Sequence, residues 1–133
     1  MIKLTQILVA LFLMVTPSLA SEVNQVVVIP AEELHKMIED KAHFVLIDTR
    51  YVDLFNKGHI EGAINLTAEE VNSESLAKVT EDDVHIKIVF YCGDVDCPAS
   101  NIAAYKAIGA GYKYVYRYSG GYEDWLKHGF DKK

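Results

Sequence analysis

The stretch that decides the fold is Val89-Phe90-Tyr91-Cys92-Gly93-Asp94-Val95-Asp96-Cys97-Pro98. It continues an apolar run that starts near Ile86, and this run predicts a buried strand that ends at Cys92. Pro98 then begins a helical pattern, because the first turn of a helix tolerates a residue without an N–H. A buried strand, a short loop and a helix form the repeating unit of a parallel sheet covered by helices. Ligands bind such sheets beyond the carboxyl ends of their strands, where Cys92 lies.

The same alternation of strand and helix continues on both sides of this stretch. Strand patterns occupy residues 26–29, 44–47, 63–66, 85–91 and 112–118. Five helical patterns accompany the strands: one begins at Pro30, one covers 51–57, one covers 68–78, one begins at Pro98, and the last contains Trp125. The pattern over 68–78 follows a Thr67/Glu70 capping box. Together they predict an α/β, three-layer fold, in which a mostly parallel sheet of about five strands is flanked by helices on both faces.

Three packing expectations accompany this fold. Trp125 is expected in the core rather than at a binding surface. The tyrosines of the last strand are expected to form one packed face, because they alternate with other residues; they are Tyr112, Tyr114, Tyr116 and Tyr118. Apolar periodicity predicts the inward face of the helix after Pro98; it consists of Ala99, Ile102, Ala103 and Ala107.

Residues 1–20 have the three-part plan of a secretory signal peptide. Lys3 precedes an apolar run over residues 7–15, and small residues at Ser18 and Ala20 mark a cleavage site after Ala20. A membrane anchor is the alternative, but the run is short of the roughly 20 apolar residues that cross a bilayer as a helix. We therefore expect export to the periplasm, with secretion as the alternative, and one folded domain over residues 21–133.

Composition narrows the classes of partner. Hydrophobic residues make up 50% of the chain and charged residues 24%, as in ordinary globular domains. The formal charge is −6, and losing Lys3 with the signal peptide makes it −7. A negative surface argues against nucleic acid and against a stable association with anionic lipid. Small molecules or proteins are the expected partners.

Cys92 is the candidate nucleophile on physical grounds alone. A tight loop between strand and helix turns backbone N–H groups inward, so the amides of Gly93, Asp94, Val95, Asp96 and Cys97 are candidate anion-binding groups. The helix that begins at Pro98 adds partial positive charge, which stabilises a thiolate. The alternative is an inert buried thiol at a strand end.

Several motifs resemble those of the rhodanese-like family, in the order and spacing typical of it. They are Asp48-Thr49-Arg50, Phe55, the segment 58–63, Val89-Phe90-Tyr91-Cys92, the segment 109–112, Val115-Tyr116 and the segment 120–125. The resemblance implies a sulfurtransferase or sulfur carrier, in which Cys92 accepts sulfane sulfur as a persulfide and passes it on. It further implies that Asp48 and Arg50 are structural supports, and we expect the same of His59.

The implied substrates are small sulfur compounds. Thiosulfate, a polysulfide or a persulfide would be the donor, and a thiol, a cyanide-like nucleophile or a partner protein's thiol would be the acceptor. The loop departs from the family pattern, since it has no Arg or Lys and carries Asp94 and Asp96. These carboxylates oppose thiolate formation and repel anions, so thiosulfate is expected to be a poor donor. Pro98 stands six residues after Cys92 and cannot bind phosphate, so phosphatase activity is not expected.

Cys97 leaves two further hypotheses open. It is a candidate resolving cysteine that would convert a modified Cys92 into an internal disulfide, which suits a thiol–disulfide redox protein. A catalytically silent partner-binding module is a third alternative, although silent members of the family commonly lack the cysteine. No metal site is expected, because two cysteines without a nearby histidine lack the four ligands of structural zinc. No cofactor motif is present.

Overall fold

Five parallel strands form the centre of the computed structural model, which describes residues 24–133. They are β1 (Val27–Ile29), β2 (Phe44–Asp48), β3 (Ile64–Asn65), β4 (Lys87–Tyr91) and β5 (Tyr114–Tyr118). Their order across the sheet is β1-β5-β4-β2-β3, so β4 lies in the middle. The predicted signal peptide, residues 1–20, lies outside the described residues.

Five helices connect and cover the strands. They are α1 (Ala31–Glu39), α2 (Val52–Lys57), α3 (Ser73–Thr80), α4 (Ala99–Gly109) and α5 (Gly121–His128). None of the helices described here is long and apolar enough to cross a membrane. The α/β architecture with a parallel five-stranded sheet agrees with the prediction from sequence.

Both faces of the sheet are buried, as the central strand shows. Ile88 and Phe90 of β4 pack in one core with residues of α3 and α4, such as Leu76 and Ala103. The alternate residues of β4, Val89 and Tyr91, pack in the other core. There they meet residues of α1 and α5, such as Leu34 and Trp125. Continuous apolar strands are typical of this three-layer arrangement, because neither face meets water. The prediction that Trp125 lies in the core is confirmed, since it is 1% exposed.

Two helix predictions need correction. The predicted helix over 68–78 begins only at Ser73, because Asn72 caps it: its side chain accepts from Ser75 N–H, and Ser75 Oγ accepts from Asn72 N–H. Thr67 N–H does donate to Glu70, but that contact closes a turn. In α4 the buried residues are Ser100, Ala103, Ala104 and Ala107. Ile102, predicted to face inward, is 47% exposed.

The tyrosines of the last strand do not form one packed face. Tyr112 and Tyr118 are buried, but Tyr114 is 49% exposed near the amino end of β5. Tyr112 precedes the strand and packs in the core with α3 and α4, whereas Tyr116 and Tyr118 pack in the core with α1 and α5, so alternation alone overestimates the packed face.

The register of the sheet brings the carboxyl ends of three strands together. Tyr91 at the end of β4 is paired with Asp48 at the end of β2 and with Tyr118 at the end of β5. Cys92 follows Tyr91 directly, so it lies at the middle of the edge where a ligand site is expected.

Candidate active site

The two cysteines are joined in a disulfide across the loop that follows β4. Cys92 and Cys97 have Cα atoms 6.2 Å apart, within the range of ordinary disulfides. Cys92 is buried at 4% exposure, whereas Cys97 is half-buried. The more exposed residue of the pair is therefore Cys97, which leads into α4.

Helix α5 holds the backbone of the loop from behind. The N–H groups of Tyr122 and Glu123, in its first turn, donate to the carbonyls of Cys92 and Gly93, each at 2.9 Å. These N–H groups have no partner within their own helix, so the loop carbonyls satisfy them. Gly121 makes this approach possible: its φ is +74°, and a Cβ there would lie 2.8 Å from Cys92 O.

The carboxylate of Asp94 occupies part of the predicted anion-binding loop. Asp94 Oδ1 accepts from the N–H groups of Asp96 at 2.9 Å and Cys97 at 3.0 Å. Cys97 N–H also lies 3.4 Å from Asp94 O. Two of the amides proposed from sequence to bind an external anion thus bind an internal one. This difference arises because the loop carries its own carboxylate within reach.

Asp48 and Arg50 form a buried ion pair beside the loop. Arg50 Nε and Nη2 donate to Asp48 Oδ2 at 3.1 and 2.6 Å, and Nη2 also donates to Gly58 O at 2.7 Å. The guanidinium lies 4.3 Å from the ring centre of Tyr122, which stacks over it. The pair connects the end of β2 to the chain around Gly58 and to α5.

Tyr91 completes this network from the central strand. Its hydroxyl donates to Asp48 Oδ2 at 2.7 Å and accepts from Ile60 N–H at 3.1 Å. Burial, reinforced by the neighbouring Asp48 carboxylate, raises the pKa of Tyr91 well above its usual range. The side chain therefore remains neutral, and its hydroxyl links Asp48 to Ile60 through hydrogen bonds directly before Cys92.

His59 lies at the far side of the same network. Its Nδ1 is 2.9 Å from Phe55 O, and its ring stacks on that of Phe55 with centroids 3.8 Å apart. Its backbone N–H and carbonyl pair with the carbonyl and N–H of Lys133. Among the lining residues of the clefts beside the cysteines, His59 does not appear.

A cleft of about 450 Å³ opens beside the disulfide, and we call it the cysteine cleft. Its floor comprises Thr49, Arg50 and the loop residues Cys92, Gly93, Asp94 and Cys97. Its walls comprise Tyr51, Leu54, Ala68, Glu69, Pro98, Ala99 and Ile102. The first residues of α4 line the same cleft as Cys92, so the amino end of that helix borders the same space.

A second depression, of about 640 Å³, lies on the other side of the loop. Its lining includes Lys127, His128 and five carboxylates, from Glu32, Asp94, Asp96, Glu123 and Asp124. In the part of the chain that the structure describes, no group of three or more potential ligands is arranged to hold a metal ion.

Several residues of the site carry no functional prediction from the sequence, among them Tyr91, Gly121 and Ile102. The sequence places Tyr91 in a strand motif and Gly121 in the closing motif of the family, and it predicts that Ile102 faces the core. The role of Gly121 could have been predicted, since consecutive glycines directly before a helix indicate a close approach of two backbone segments. The roles of Tyr91 and Ile102 depend on contacts between distant segments.

Comparisons with known proteins agree with this architecture. The sequence model of the Rhodanese-like domain family matches residues 30–128. A solved protein from Bacillus halodurans is similar with a TM-score of 0.72 and 20% identity, over 80% of this chain and 76% of that one. The human single-domain sulfurtransferase is similar with a TM-score of 0.63 and 20% identity, over 77% and 97% of the two chains. At these identities the likeness shows the fold alone.

One curated relative shares a shorter stretch. M-phase inducer phosphatase 1 of Bos taurus is 44% identical over 52 residues, which is 37% of this chain. The chain spans about a tenth of the length of the curated relatives it matches, at 10% of each.

Proposed function

Because the chain belongs to the rhodanese-like domain family, we propose that it moves sulfane sulfur through a persulfide on Cys92. The observation that carries the proposal is the position of Cys92. It ends the central strand of the sheet, its carbonyl is fixed by α5, and it lines a cleft open to solvent. A nucleophile held on a rigid element beside an accessible cleft suits covalent transfer.

The transfer proceeds in two displacements. The Cys92 thiolate attacks the sulfane sulfur of a donor such as a polysulfide, a persulfide or thiosulfate, and the rest of the donor leaves with the bonding electron pair. The resulting Cys92 persulfide then presents its outer sulfur to an acceptor. A thiol, a cyanide-like nucleophile or a partner protein's thiol takes that sulfur, and Cys92 leaves as a thiolate.

Cys97 gives the persulfide a second fate. Its thiolate attacks the inner sulfur, which belongs to Cys92, so that the disulfide forms and hydrosulfide leaves. A thiol reductant must then supply two electrons to restore the dithiol. In this scheme Cys97 is the resolving cysteine and Cys92 the sulfur-carrying one.

The intact mass of the reduced protein tests the proposal. After exposure to polysulfide or thiosulfate, we expect a gain of one sulfur atom in the wild type and in Cys97→Ser, with no gain in Cys92→Ser. Equal loading of Cys92→Ser would contradict the mechanism.

A thiol–disulfide redox protein is the second candidate, favoured by one observation, the Cys92–Cys97 disulfide itself. In that case mild peroxide would remove two hydrogens from the reduced protein, both cysteines would be needed, and no donor would add sulfur. The same mass measurement separates the two functions.

We also propose that the domain works outside the cytoplasm after removal of residues 1–20. The predicted signal sequence supports this compartment, where a disulfide can persist. The mass of protein recovered from the extracytoplasmic fraction tests it, since cleavage after Ala20 would leave Ser21 at the amino terminus.

A further inference from the structure

We infer that the cysteine cleft selects sulfur compounds with an apolar organic body over inorganic sulfur anions such as thiosulfate. The inference rests on the proposed sulfur transfer and adds a substrate class to it. Its grounds are the exposed side chains of the cleft, its charges and the hydrogen bonds of its loop.

Three large apolar side chains line the cleft without being buried in the core. Tyr51, Leu54 and Ile102 are 70%, 46% and 47% exposed. Tyr51 and Leu54 come from the beginning of α2, whereas Ile102 lies early in α4. Apolar side chains that converge from two elements on one reactive group favour a ligand with an apolar surface of its own.

Among the described residues that line the cleft, the one cationic side chain is held in a buried ion pair. This side chain, Arg50, is 7% exposed, and its Nε and Nη2 donate to Asp48 and Gly58 O. Glu69 and Asp94 add carboxylates to the lining. An inorganic sulfur anion would therefore meet net negative charge.

Two of the loop amides that an anion would use are already hydrogen-bonded within the loop. The N–H groups of Asp96 and Cys97 already donate to Asp94 Oδ1, at 2.9 and 3.0 Å. A competing anion would have to displace that carboxylate. Thiosulfate would therefore find neither an unpaired cation nor the full set of loop amides with which small anions are commonly bound.

The size of the cleft agrees with an organic ligand. Its volume of about 450 Å³ lies in the range that holds drug-sized molecules, and an anion of a few atoms would leave most of the apolar wall in water. The ligand's sulfur would meet the cysteines at the floor while its body covered Leu54 and Ile102.

The rate of thiol–disulfide exchange measures this selectivity, and it does not depend on sulfur transfer. Oxidised protein is mixed with benzyl mercaptan or with 2-mercaptoethanol, and formation of the reduced protein is followed by intact mass. In each case one thiolate forms a mixed disulfide and a second releases it, giving protein dithiol and oxidised thiol. Each rate is divided by the rate of the same thiol with cystine in solution.

We expect a normalised preference of about tenfold for benzyl mercaptan, the effect of burying a phenyl ring in part. Ile102→Asn should remove most of the preference. Tyr105→Ser is the matched control, because Tyr105 is an exposed apolar residue of α4 that does not line the cleft. Equal normalised rates in the wild type, as expected of a cleft reserved for a protein partner, would overturn the inference. An unchanged preference in Ile102→Asn would do the same.

A second arm separates this inference from the proposed function. Reduced protein is treated with benzenethiosulfonate or methanethiosulfonate, which carry the same charge; each gives its outer sulfur to Cys92 and leaves as a sulfinate. We again expect a preference of about tenfold for the phenyl compound, with each rate of sulfur loading divided by the rate of the same compound with a thiol in solution. If neither compound nor polysulfide adds sulfur, sulfur transfer is wrong, while the exchange rates still decide the selectivity.

Discussion

The backbone N–H of Tyr122 donates to the carbonyl oxygen of Cys92 at 2.9 Å, so the last helix of the domain is anchored on the candidate nucleophile itself. The adjacent N–H of Glu123 repeats the contact with Gly93 O. Two residues far apart in sequence are thereby fixed to each other through backbone groups alone. Side-chain substitutions at Tyr122 leave this contact in place, whereas a change at Gly121 threatens it.

Gly121→Ala should therefore destabilise the domain and loosen the cysteine loop. The new Cβ would lie 2.8 Å from Cys92 O and from Gly93 C, at a φ of +74°. We expect a loss of at least about 2 kcal/mol in the free energy of unfolding, measured with urea. Gly129→Ala is the control, since Gly129 has a φ of +69° with nothing within 4 Å. It should lose about 1 kcal/mol, and equal losses would show that the close approach is unimportant.

Arg50→Met should be among the most damaging substitutions outside the apolar core. It leaves the fully buried carboxylate of Asp48 without its cation, which typically costs about 3–5 kcal/mol. Lys36→Met removes the exposed pair with Asp40 and should leave the denaturation midpoint nearly unchanged, because solvent screens that pair. Comparable denaturation midpoints for the two variants would contradict a structural role for the buried pair.

Tyr91 should make the protein sensitive to alkali. Burial raises its pKa, so above the ordinary value of 10.0 the unfolded chain loses a proton that the folded chain retains. The unfolded state then binds fewer protons, and stability falls as pH rises, by up to about 1.4 kcal/mol per unit. Below pH 10 this contribution is fully present. Urea unfolding between pH 9 and about 11.5 should show a shallower fall for Tyr91→Phe than for the wild type or the exposed-site control Tyr105→Phe.

Asp94→Asn should improve the use of thiosulfate. The amide oxygen can still accept from the N–H groups of Asp96 and Cys97, while the negative charge near Cys92 is removed. Because Asp94 is exposed, we expect only about a two- to fivefold rise in kcat/KM for thiosulfate. The gain should shrink at high salt. Glu74→Gln, on the distant helix α3, is the matched charge control, and an equal gain there would point to net charge rather than to the loop.

Reduction of the disulfide should leave the domain folded. Cys92 and Cys97 are five residues apart, and so short a loop restricts the unfolded chain by only about 2 kcal/mol. Both sheet faces and the contacts of α5 with the loop are independent of the bond. Thermal unfolding with and without reductant should show a modest decrease in Tm, and an unfolded reduced form would mean that the disulfide is structural rather than reactive.

The sequence predicted the sheet because its strands are buried on both faces. Runs such as 44–47 and 88–91 lie between two layers of helices, so their apolar residues are consecutive and easy to recognise. The start of α3 was wrong because Thr67 and Glu70 match the common capping pattern, whereas the actual cap uses Asn72 and Ser75. A serine in that third position is a weaker signal than a glutamate.

The candidate site was less predictable than the fold. In α4 the alanines allow more than one inward face, and the close packing of Ala103 and Ala104 on the sheet displaced Ile102 to the cleft. The capture of loop amides by Asp94 depends on a turn conformation that residue types alone do not specify. The pairing of Tyr91 with Asp48 and Ile60 joins residues that are neighbours only across the sheet.

The anchoring of the loop by α5 also sets an order of assembly. A chain synthesised from its amino end produces β4 and both cysteines before the residues of α5 exist. Until that helix docks, the carbonyls of Cys92 and Gly93 lack their N–H partners, and the thiols belong to an unfinished sheet edge. The backbone of the cysteine loop therefore gains its last hydrogen bonds only when the final helix has been made and folds against it.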